Sequence, residues 1–175
     1  MSRFHWISMT AAIAYTAACA VMPAAITRAT RITCFDVVPM PLKDAVQSAE
    51  IQSGGKAVDA TFRLSNEMAC MEGGASHYDV TVIAGSTLTL VQVNADSRQV
   101  QAGRRTESIV ATNSFRSHAT IADRTRLSLS DAIAIAESHG GKAREAHAEI
   151  SGGKVGYAIR LADRGSVRTT WVDGS

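Results

Sequence analysis

The residues that could do chemistry in this chain are few and scattered. Met68, Cys70 and Met71 stand close together and supply soft sulfur ligands, a set that would suit Cu(I). No second ligand cluster supports them, and the more ordinary reading is a loop cysteine flanked by packing methionines. His77, His118, His139 and His147 fall at no metal-binding spacing: there is no His-x-x-x-His pair and no Cys-x-x-Cys. Serines are common, but no Gly-x-Ser-x-Gly elbow is present to raise one as a nucleophile beside a histidine and a carboxylate. The serines mostly sit at turns and at a helix start, where their side chains bond the backbone. No catalytic residue, resident metal or cofactor is assigned, and the chain is read as a binding protein rather than an enzyme.

Binding needs surfaces, and three side chains are candidates. Arg160 points away from the core if its neighbours Tyr157, Ile159 and Leu161 point in. Arg168 and Trp171 lie on opposite faces of the last strand, so only one of them shares the surface of Arg160. Exposed Trp and Arg are common anchors at interfaces; a packed Trp171 and solvated arginines are the plainer alternative. An open sheet edge would add a second mode, strand addition by an extended peptide.

The elements that must position these residues form a repeat. Pro41 to Gly55 reads PLKDAVQSAEIQSGG, and the stretch running to Gly141 reads LSLSDAIAIAESHGG. Leu42, Ala45, Val46 and Ala49 recur at helical spacing, and Leu129, Ala132, Ile133 and Ala136 repeat the same classes. Each set is the apolar stripe of an amphipathic helix. Pro41 suits a helix start, where its missing N–H is no loss. Ser128 is a candidate cap with Asp131 three residues on. The double glycines supply the positive φ that stops each helix.

Each helix is followed by alternating sequence. Val58 to Leu64, Tyr78 to Val82 and Thr87 to Asn94 read as strands in the first copy. Ala146 to Ile150, Tyr157 to Leu161 and Val167 to Asp173 read as strands in the second. The same offset separates Tyr78 from Tyr157 and Val93 from Val172, so the later strands align without a gap. The reading is an α+β fold of two small tandem units, each one helix packed on a three-stranded antiparallel sheet. The units span 41–100 and 128–175, after a lead-in at 26–40. An arginine-rich linker at 101–127 joins them, with Ile109, Val110 and Phe115 as a short ordered piece within it.

The first 25 residues look like an export signal. Arg3 and His5 precede an uncharged, mostly apolar run from Ile7 to Met22, short for a membrane span, then Pro23 and small residues. Cleavage after Ala20 or Ala25 fits; a retained anchor helix and lipidation at Cys19 are the alternatives. Export implies a periplasmic or extracellular address with no stable membrane span after cleavage. It leaves Cys34 and Cys70, an even count that reads as one disulfide in an oxidising compartment, against two unpaired buried thiols. Formal net charge is +2, too near neutral to imply a nucleic-acid partner. The linker arginines have no interleaved aromatics, which argues against single-stranded nucleic acid.

The repeat resembles the PepSY domain family. The resemblance rests on D-A-[VI]-x-x-A-E in each helix, Asp44 to Glu50 and Asp131 to Glu137, with its glycine stop. Tyr78-Asp79-Val80 and Tyr157-Ala158-Ile159 continue it, and the last strands end at Asn94 and Asp173. Asn94 is a departure from Asp173, and the second copy stops short of the closing Thr-Gly often seen in the family, which predicts a shortened last strand. The resemblance implies binding without catalysis: a protein or peptide partner, with restraint of an envelope protease as the proposed role. Self-association into a homodimer and soft-metal carriage are the alternatives.

Overall fold

The structure, a computed structural model, describes residues 35, 38, 40–64, 76–101, 105–106, 113–163 and 165–175. The export-like start, Cys19, Cys34, Cys70, the two methionines beside Cys70, and Ile109 and Val110 lie outside the described residues.

Helix α1 (Leu42–Ser53) forms on the expected stripe, with Leu42, Ala45, Val46 and Ala49 all buried. Pro41 is its cap rather than its first helical residue, in extended backbone, and Asp44 sits in the first turn, where negative charge favours the helix dipole. Gly54 stops the helix with φ 65° and donates its N–H to Glu50 O. Strands β1 (Lys56–Leu64), β2 (Ser76–Ala84) and β3 (Thr87–Asn94) follow. Two short strands, β4 (Val100–Gln101) and β5 (Arg105–Thr106), both pair with β3. Helix α2 (Asn113–Arg124) comes next, then α3 (Leu129–Ser138), β6 (Lys142–Ser151), β7 (Lys154–Asp163) and β8 (Ser166–Asp173). At α3 the Ser128 hydroxyl accepts the Asp131 N–H at 3.1 Å and donates to the Asp131 carboxylate at 2.6 Å.

Two tandem helix-on-three-strand units are not what these elements build. All the strands belong to one antiparallel sheet in the order β4-β3-β2-β1-β6-β7-β8, with β5 also on β3. The join is the β1–β6 ladder: Asp59 opposes His147, Ala60 opposes Ala146, and Thr61 opposes Glu145. The buried side chains form one contiguous cluster that runs from Leu42 and Val46 through Ala60 and Ala146 to Ile133 and Ile159. The physical reason lies in size and edges. A unit of around fifty residues has a marginal core, and the first strand of each copy offers an unpaired edge. Joining the two edges satisfies the backbone and merges two small cores into one. Helices α1 and α3 then pack side by side on the same face of the sheet.

Within that single core the sequence repeat has a geometric counterpart. The Tyr78 hydroxyl donates to Met40 O at 2.6 Å, and the Tyr157 hydroxyl donates to Leu127 O at 2.7 Å. Each acceptor lies just ahead of its helix. The Glu50 carboxylate accepts the Ala57 N–H at 2.8 Å, and the Glu137 carboxylate accepts the Ala143 N–H at 2.8 Å. The ladder of each copy shifts register near its start, at Ala57/Asp59 and at Ala143/Glu145.

The arginine-rich stretch is not all connector. Within it α2 buries Ile121 and Ala122 and packs across β6, β1 and β2. It lies on the face away from α1 and α3. Ala57, Ala60 and Phe62 of β1 point into the core, whereas Asp59 points to the opposite face, where it feels His118 of α2. Lys56 holds the C-terminal end of α2, with its ammonium donating to Ala122 O and Thr125 O, both at 2.8 Å. The chain then rounds the sheet to α3, pinned where Arg126 N–H donates to Gly174 O at 2.8 Å. Strand β8 runs in full to Asp173, not shortened.

Candidate interaction surface

Strand alternation decides which side chains can meet. On β7, Tyr157, Ile159 and Leu161 are buried against the helices, and Arg160 points to the face that carries α2. Its guanidinium pairs with Glu145 at 2.8 Å. Trp171 opposes Ala158 and shares that outer face. Its indole lies over Gly156, where an added Cβ would stand 2.5 Å from the ring. Arg168 is on the other face, where it donates to His139 O at 2.8 Å and Gly140 O at 2.7 Å, closing the end of α3. So Arg160 and Trp171 stand on one surface, and Arg168 serves a helix end.

The two edges of the sheet differ. Strand β3 is covered at both ends, by β4 on Gln92 and Val93 and by β5 on Leu88 and Thr89. Strand β8 pairs with β7 through eight consecutive residues without a bulge, and among the described residues no strand lies on its other side. It carries no proline and no lysine, devices that blunt other edges. Gly174 N–H donates to Val155 O at 3.0 Å. By the alternation of an antiparallel ladder, Val172, Thr170 and Arg168 also face β7, and Val167, Thr169 and Trp171 turn their N–H and C=O outward. Val167 and Trp171 are 38% and 37% exposed on the outer face.

The rest of the outer face is a charged ladder. Asp79 receives Gln92 Nε2 at 3.1 Å and lies 3.6 Å from Arg63 and 3.5 Å from His77. His147 stands 3.6 Å from Glu149. Burial beneath α2 pushes the Asp59 carboxyl above its ordinary value; His147 opposes that, Glu145 adds to it, and His118 and Arg63 oppose it. Among the described residues no group of three side chains has metal-binding geometry. The ladder ties strands together and seats α2.

A groove of about 300 Å³ opens on the other side, between the start of α1 and the end of α3, lined by Phe35, Val38, Met40, Leu42, Tyr78 and Glu137 among others. Its phenol is committed to Met40 O, and burial raises its pKa well above the ordinary tyrosine value.

Arg160 and Trp171 are the sequence candidates that the structure brings onto one surface; Cys34 and Cys70 lie outside the described residues. Val167 and Thr169 were not singled out by sequence. Their signal is the absence of any charge, proline or glycine between Val167 and Trp171 other than Arg168, and it has meaning only once β8 is known to be an edge.

No protein-family profile matches the chain, and no curated protein matches it. A crystal structure of a "putative lipoprotein" from Clostridium difficile 630 is similar at 16% identity over 78% of this chain and 87% of that one, with a TM-score of 0.44. Among the described residues no helix is long and apolar enough to cross a membrane.

Proposed function

We propose that this chain is an exported, non-catalytic binding protein that takes an extended segment of a protein or peptide partner as an added strand on β8. The carrying observation is the unbulged edge of β8, on which no strand lies among the described residues, with Val167 and Trp171 exposed along it. Main-chain bonds to Val167, Thr169 and Trp171 would supply affinity, and the outer-face side chains would select the partner. The export-like start supports an envelope or extracellular setting. The PepSY resemblance of the two helix-to-strand copies supports a peptidase as the partner class, held or restrained rather than cleaved.

The test is amide hydrogen exchange on the purified protein, alone and with proline-free extended nonapeptides and a secreted metallopeptidase. New protection confined to Val167, Thr169 and Trp171 is the expected result. Thr169→Pro removes the outward N–H at the centre of the edge and should abolish that protection. Protection elsewhere, or none with any of these partners, overturns the reading.

A further inference from the structure

The outward groups of β8 are arranged to accept a copy of themselves. We infer that the strand that fits this edge is β8 of a second copy, paired antiparallel about a two-fold axis through Thr169. The inference rests on the reading of β8 as an acceptor edge and names a second occupant of it, which an extended segment of a peptide or peptidase must displace.

Three registers centred near the middle of the strand compete, and side chains separate them. An axis through Arg168 sets that guanidinium opposite its own copy, a like-charge pair that destabilises a ladder. An axis through Thr170 leaves Val167 opposite Asp173. With the axis through Thr169, Val167 of each copy opposes Trp171 of the other, so both exposed large apolar residues of each β8 are covered at once. Arg168 then faces Thr170, and Asp173 faces Gly165, so no like charges meet. The backbone agrees. Odd-numbered residues from Val167 to Trp171 turn their N–H and C=O outward, and this register brings odd residues opposite odd residues, as a hydrogen-bonded pairing requires.

The molecule already contains a junction of this type. Ala60 of β1 opposes Ala146 of β6, its counterpart in the repeat, and Asp59–His147 mirrors Thr61–Glu145 across that point. Such self-complementary contacts are what a two-fold interface requires. A β8–β8 junction would repeat the device at the outer edge and extend the sheet from one copy into the next.

The experiment is sedimentation equilibrium on the full chain freed of its export segment. The wild type should double its mass with rising concentration. Thr169→Lys places two ammonium groups face to face and should weaken the dimer at least tenfold, while circular dichroism stays unchanged because Thr169 is exposed. Mixing Thr169→Lys with Thr169→Glu chains should restore a mixed dimer. A wild-type dimer indifferent to Thr169→Lys places the interface elsewhere and overturns the inference. A wild type monomeric at every accessible concentration also overturns it. If peptides still protect the β8 amides of that monomer, strand addition stands alone; if they do not, both readings fall.

Discussion

Ala60 lies directly opposite Ala146 at the centre of the sheet, and both are wholly buried. They are equivalent positions of the repeat, so the two copies meet at a point that each contributes equally. The small side chains matter there, because α1 and α3 pack together above this junction.

The first prediction concerns that junction. Ala60→Leu inserts three carbons into space already filled and should destabilise the fold by about 1–3 kcal/mol, as overpacking does. Because one core spans both copies, the loss should appear in the whole molecule. Urea unfolding followed by circular dichroism and by tryptophan fluorescence should give coincident transitions for wild type and variant. Two separated transitions, with only the first copy weakened, would show that the halves fold independently.

How far sequence could reach is visible at this same place. The helical stripes, the strands and the equivalence of Tyr78 and Tyr157 were all readable, because each is written in local periodicity. The β1–β6 pairing was not. Alternation tells which face of a strand meets the core, but it is silent on which edge meets which. Helix α2 was hidden for another reason. Its stretch NSFRSHATIADR is mostly polar, so that only Phe115 of it was read as part of an ordered piece, and Ile121 and Ala122 mark its buried side among the described side chains. The outward aim of Arg160 and Trp171 followed from parity, whereas the edge position of Val167 and Thr169 depends on the order of the whole sheet.

The paired tyrosines give a second prediction. Burial raises the pKa of Tyr78, and burial also raises that of Tyr157, where a hydrogen bond with Thr125 offsets part of it. A phenol whose folded pKa exceeds its unfolded value near 10 favours the native state fully below about pH 10. That contribution is lost as pH climbs from there through the folded values. Denaturant midpoints should therefore hold from neutral pH to about pH 10 and fall steeply above it. Tyr78→Phe and Tyr157→Phe should each cost about 1–3 kcal/mol at neutral pH by leaving the Met40 or Leu127 carbonyl without its donor. Each should also flatten the alkaline fall, and absorbance at the tyrosinate band would follow the same titration.

Lys56 carries a third. Its ammonium holds Ala122 O and Thr125 O at the end of α2, where a helix leaves carbonyls unsatisfied and favours positive charge. Lys56→Met keeps the stem and removes the donor, and should cost about 1–3 kcal/mol. The loss should be local. Hydrogen exchange should speed across 113–124 while the amides of α1 and α3 keep their protection. Uniform acceleration would mean that α2 is an integral part of the core.

The last prediction separates the two uses of β8, as a structural strand and as a surface. Gly156 lies beneath the Trp171 indole, and an added Cβ would meet the ring at 2.5 Å and Val172 O at 2.5 Å. The backbone oxygen cannot move without breaking the β7–β8 ladder, so the ring and the strand must both shift. Gly156→Ala should destabilise by about 1–3 kcal/mol and move Trp171 emission to longer wavelength as the indole lifts into water. Thr169→Lys, two residues away on the exposed side, should leave stability and emission of the monomer unchanged. A Gly156→Ala protein with native emission would show that Trp171 has room to slide along the outer face, and the fixed apolar pair with Val167 on which the edge chemistry depends would not exist.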